Sequence, residues 1–72
     1  MELYLYRIST HAEYDDKSNL LTVKPETLVS GEDYYENATD AREELLMANA
    51  GTIKKAGGRN AVEVLVRPFR QG

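Results

Sequence analysis

Residues 31–46 read GEDYYENATDAREELL: two adjacent tyrosines among acids, running into a helix start. Thr39 can cap the free N–H groups, while Asp40, Glu43 and Glu44 place negative charge at the positive end of the helix dipole. Ala41, Leu45 and Ala48 recur at helical spacing on one stripe, with Leu46, Ala50 and Ile53 on a neighbouring one, which predicts a broad buried face. Gly51 is one stopping point. Ile53 and Ala56 keep the pattern and Lys54 and Lys55 suit the negative end, so the longer helix, stopped by Gly57-Gly58, is preferred. Upstream, EDYYEN is an edge strand or an extended lead-in, in which Tyr34 and Tyr35 alternate faces, one packing inward and the other presented outward.

Working outward, AVEVLVRPF (61–69) is the strongest strand: Val62, Val64 and Val66 point one way, and Ala61, Leu65 and Phe69 the other with Glu63 and Arg67. Pro68 cannot donate to a ladder, so pairing should fade there. ELYLYRIS (2–9) alternates Leu3 and Leu5 with Tyr4, Tyr6 and Ile8, a strand with both faces partly covered. THAEYDDKSN (10–19) carries the turn formers Asp15, Asp16, Ser18 and Asn19 and reads as a loop or hairpin tip. LLTVK (20–24) suits a short strand, and PETLVS (25–30) one helical turn opened by Pro25 and closed by Gly31. The expected fold is α+β, a single domain over 1–72, with a small antiparallel or mixed sheet of about three strands and one helix packed across it. Residues 61–67 are the more apolar strand and are expected inside the sheet.

A chain of 72 residues buries only about 60% of its unfolded surface, which leaves little room for a deep catalytic cleft. It has no cysteine, so disulfides and thiolate zinc sites are excluded. Residues 1–10 lack a basic start followed by an apolar run, and no run reaches membrane-spanning length; cytoplasmic placement is expected. Charge is segregated. From Glu13 to Glu44 there are ten acids against Lys17, Lys24 and Arg42, a net of −7, whereas from Lys54 onward five bases face Glu63 alone, a net of +4. Opposite-sign surfaces of this kind steer charged partners.

No catalytic constellation emerges, and no enzyme, metal or cofactor is expected. His11 is the single histidine, and beside Ser9 and Thr10 it reads as a solvated loop residue. His11, Glu13, Asp15 and Asp16 mix metal-ligand types within one loop but match no metal-loop spacing and read as turn formers. The glycines at 51, 57 and 58 form no phosphate-binding pattern, and GGRN follows a helix rather than preceding one. Tyr4 and Tyr6 with Arg7, Arg67 and Arg70 could form a stacking platform for nucleic acid, which the net charge of −3 opposes. The remaining class is protein recognition, anchored by a tyrosine among acids.

YYENATDAREELL followed by VEVLVRP resembles the second half of the small early inhibitor of bacterial RNA polymerase made by lytic podophages. In that family too a Tyr-x-Glu strand end leads through Asp and Ala into an amphipathic helix, and the last strand ends Val-Arg-Pro. The resemblance covers about half of the chain, and residues 10–19 have no counterpart. It implies a non-enzymatic protein that blocks a host machine by binding it. Arg67 falls on a contact arginine of the family, whereas Leu65 stands where the family has a second arginine.

Together these observations point to a phage-type inhibitor or regulator acting in the bacterial cytoplasm on a host protein complex, RNA polymerase or a defence nuclease. Its expected contact residues are Glu32, Asp33, Tyr34, Glu36, Arg67 and Arg70. A small nucleic-acid-binding regulator and a self-assembling structural subunit are the alternatives, and the protein itself is expected to be a monomer or small homo-oligomer.

Overall fold

The computed structural model describes residues 1–11, 13–14, 21–23 and 25–70. Strands β1 (Glu2–Thr10), β2 (Glu13–Tyr14), β3 (Leu21–Val23) and β4 (Thr27–Tyr35) are followed by helices α1 (Ala38–Ala48) and α2 (Ala50–Lys55). A single 3-10 turn, Arg59–Ala61, then leads into β5 (Val62–Pro68). The fold is α+β. β4, β1 and β5 form an antiparallel three-stranded sheet in that order, and β2 pairs with β3 in a separate two-stranded ribbon. The expected turn residues Asp15, Asp16, Ser18 and Asn19 lie outside the described residues.

β1 is the central strand, not β5. The valines of β5 made it the more apolar by composition, but an edge strand needs only one buried face, and Val62, Val64 and Val66 supply it while Glu63, Leu65 and Arg67 remain exposed. β1 instead carries apolar side chains on both faces, the pattern of a strand with a neighbour on each side. Pairing on β5 reaches Tyr4↔Pro68 and extends one bond further, with the Phe69 N–H donating to the Leu3 carbonyl (2.9 Å).

PETLVS is not a helical turn. Thr27 to Ser30 belong to β4, which pairs with β1 from Ser9↔Thr27 to Glu2↔Tyr35. Cross-strand bonding to a long central strand outweighs the local proline-to-glycine signal. Gly31 has a packing role instead: a Cβ there would lie 2.7 Å from the Tyr6 hydroxyl, so the Tyr6 ring occupies the space over this glycine. At the other end, the Thr10 N–H donates to the Glu26 carbonyl (3.0 Å) and the Glu26 N–H to Thr10 Oγ1 (2.8 Å), closing the base of the β2–β3 excursion.

The cap of α1 lies two residues before the expected one. Asn37, not Thr39, is the N-cap: its extended backbone lets Oδ1 accept from the Asp40 N–H (2.8 Å), while its Nδ2 meets Asp40 Oδ2 at 3.4 Å. Removing this cap by Asn37→Ala is expected to cost about 1 kcal/mol, read as a lower thermal midpoint by circular dichroism. The helical run does continue past Gly51, but in two pieces. Asn49 Nδ2 donates to the Leu45 carbonyl (2.8 Å), as does its own N–H (3.0 Å), and at φ −115° it leaves helical geometry. At the end of α2 the Gly58 N–H bonds the Ile53 carbonyl (2.9 Å) and the Gly57 N–H the Lys54 carbonyl (3.1 Å), the Schellman pattern. Gly57 and Gly58 have φ of 116° and 103°, which side chains with a Cβ rarely adopt.

β4 and β5 run the same way on either side of β1, so the helical connection crosses one face of the sheet. The core lies beneath it: Tyr4, Ile8, Tyr35, Val62, Val64 and Val66 from the sheet meet Ala41, Leu45 and Ile53 from the helices. Of the predicted helical face, Ala48 and Ala50 are exposed and Leu46 is half-buried, so the buried stripe is narrower than its spacing implied.

Candidate protein-binding surface

Side-chain alternation places Tyr4, Tyr6 and Ile8 under the helices, so Leu3, Leu5 and Arg7 point to the opposite face. Directly paired residues of an antiparallel sheet share a face, which orders this second face into rows. Leu3 lies opposite Tyr34, with Phe69 beside it on the β5 side; Leu5 lies between Glu32 and Arg67; Arg7 lies between Ser30 and Leu65. Tyr34, Leu65 and Phe69 are 60%, 42% and 40% exposed. Exposed apolar side chains gathered on one sheet face are uncommon on a surface that only meets water.

The middle row pairs charge with an apolar centre. Glu32 and Arg67 are each one strand away from Leu5, so their backbones stand about 10 Å apart and flank the leucine rather than cover it. A shallow recess of about 260 Å³ opens here, lined by Leu5, Tyr6, Arg7, Ser30, Gly31, Leu65 and Arg67. Such a surface offers an apolar patch with a carboxylate on one side and guanidinium groups on the other.

The adjacent tyrosines divide as alternation requires. Tyr35 is buried, its ring 6.3 Å from that of Tyr4, while Tyr34 stands on the open face with its N–H held by Asp33 Oδ1 at 2.7 Å. Burial raises the phenol pKa of Tyr4, helped by the Glu2 carboxylate, and burial likewise raises that of Tyr35, helped by Asp33. A raised folded-state pKa means that the folded protein holds these protons more tightly than the unfolded chain. Their contribution to stability is therefore complete below the unfolded tyrosine value near about 10 and is lost as pH rises through the folded values. Thermal melts taken in steps above pH 9 should fall with pH, and less steeply in Tyr35→Phe.

Of the six residues expected to contact a partner, Glu32, Tyr34 and Arg67 come together on the open face. Asp33 lies on the helix side of the β4 edge, opposite Tyr4. Glu36 follows the end of β4, next to the helix cap, and Arg70 lies beyond β5. The acidic segment is thus split between the two sides of the sheet. Leu3, Leu5, Leu65 and Phe69, absent from the expected set, form the centre and one side of the surface; the alternation of β1 and of residues 61–69 was their signal. The tyrosines and arginines proposed as a nucleic-acid platform separate: Tyr4 is buried and Tyr6 half-buried under the helices, with Arg7 and Arg67 on the other face.

Among the described residues no group of three or more His, Cys, Asp or Glu side chains is placed to hold a metal ion, and no helix is long and apolar enough to cross a membrane. Asp15 and Asp16 of the weighed metal loop lie outside the described residues. No family model, curated protein or solved structure matches this chain.

Proposed function

We propose that this chain is a non-enzymatic, phage-type inhibitor or regulator that docks on a protein complex of a bacterial host through the open face of its sheet. The observation that carries the reading is the cluster of Tyr34, Leu3, Leu5, Leu65 and Phe69 on that face, bracketed by Glu32 and Arg67. Aromatic anchors in an apolar centre with charges around them have the make-up of a binding hot spot and its rim. The acids along β4 would meet a basic surface and speed encounter, while the sheet blocks whatever that surface normally binds.

The resemblance of residues 34–46 and 62–68 to the podophage polymerase inhibitors makes host RNA polymerase the first target, and a defence nuclease the next. Purified bacterial RNA polymerase, assayed for transcription with increasing amounts of this protein, tests the first. Dose-dependent inhibition that weakens with salt supports it. If transcription is unaffected and no complex forms at low salt, the polymerase reading is wrong. A nuclease-treated lysate pull-down at two salt concentrations then addresses the nuclease. Among the described residues both outer strands of the sheet have a free edge, which favours self-assembly as the second reading; sedimentation across a concentration series reports it.

A further inference from the structure

The chain reversal after α2 assembles a second, separate feature. Gly57 and Gly58, both at positive φ, turn the backbone so that Arg59 and Asn60 fall beside the start of β5. α1 packs over β5 and brings Arg42, the neighbour of buried Ala41, to the same place. β1 ends there as well, because Thr10 pairs with Val62 and His11 comes next. Arg42, Arg59, His11 and Asn60 line one recess of about 330 Å³. Val62, Glu63 and Val64 complete its lining. Three consecutive strand residues alternate faces, so a recess touching all three runs along the side of β5, not over one face of the sheet.

The donor set is chemically specific. Two guanidinium forks suit the paired oxygens of a tetrahedral oxyanion, and the amide NH2 of Asn60 and a ring N–H of His11 add further donors. Arg59 is also held in place: its Nη1 donates to the Val62 carbonyl at 3.3 Å, which commits one of its five N–H groups. Glu63 opposes an anion, and among the described residues the two arginines outnumber the carboxylates lining the recess by one. This concentration of positive charge stands out in a protein of net charge −3.

We propose that this recess is an oxyanion site that takes a phosphate group, either as the free anion or as a phosphate monoester. It does not depend on the open face, which lies on a different part of the sheet. The test is a titration of the full chain with inorganic phosphate and, separately, with phosphoserine, followed by amide and arginine side-chain NMR shifts.

Saturable shifts at Arg42, Arg59 and Asn60 are expected with either probe, and tighter binding of phosphoserine than of phosphate assigns the site to a monoester, the reverse order to the free anion. Arg42→Gln or Arg59→Gln should each weaken binding about tenfold or more, the loss of a charge-assisted hydrogen bond, and Glu63→Gln should strengthen it. Lys54→Gln with Lys55→Gln removes equal charge outside the recess and serves as the control. The proposal is overturned if no shift saturates by about 50 mM phosphate, a range that would still detect millimolar affinity. It is equally overturned if the lysine control weakens binding as much as the arginine variants do. Amide spectra of each variant confirm that it is folded before its affinity is compared.

Discussion

Ile8→Ala is expected to destabilise the protein by about 2–5 kcal/mol, the range for emptying a fully buried aliphatic site. Ile8 is 0% exposed and sits in the middle of the central strand, between Val29 of β4 and Val64 of β5 and beneath the helices. Nothing around it can collapse without moving several elements at once, so most of the cavity would persist. At roughly 0.05–0.15 kcal/mol per residue, a 72-residue domain has about 4–11 kcal/mol of stability in total. This single change therefore removes a large part of it. Urea unfolding should show the midpoint falling sharply with the slope unchanged. Leu65→Ala, on the exposed face of edge strand β5, should cost only about 0.5 kcal/mol or less. Equal shifts for the two variants would contradict the placement of β1 at the centre.

The second large effect concerns binding. Tyr34→Ala is expected to weaken the complex with the target by tenfold or more, since truncating an aromatic anchor at an interface centre costs about 2 kcal/mol or more. Tyr34 is 60% exposed and makes its one described hydrogen bond through the backbone, so its loss should leave the fold intact. Glu32→Lys, in the Leu5 row of the same face, should add a salt-dependent loss, mainly through slower association. Asp33→Lys with Glu36→Lys changes the same kind of charge off the open face and should matter much less. If that pair abolished binding while Tyr34→Ala and Glu32→Lys did not, the binding surface would lie along the acidic edge of β4 and not on the open face.

The alternation of residues 2–9 and 62–66 and the 3.6-residue spacing of Ala41, Leu45 and their neighbours were sufficient for an α+β class with two of its three main strands and its helix. The same alternation put one of Tyr34 and Tyr35 inward and the other outward, because neighbouring strand residues must face opposite ways, while the pairing of β4 with β1 decided that Tyr35 is the buried one. The helix start was displaced by two residues because Asn37, Thr39 and Asp40 are all competent caps, and only the path of the chain leaving β4 selects among them. PETLVS shows the same limit in stronger form. Its proline and glycine favour a turn locally, yet it is a strand because β1 is long enough to pair with it.

Local sequence, then, determined the first and last strands, the helical segment and the alternation of side chains within them, since these follow from backbone periodicity. Tertiary structure alone decided which strand is central, which acids share a surface with Arg67, and that His11, Arg42 and Arg59 meet. These depend on pairing register and on the crossing of the helices over β1, long-range contacts that no short window of sequence encodes.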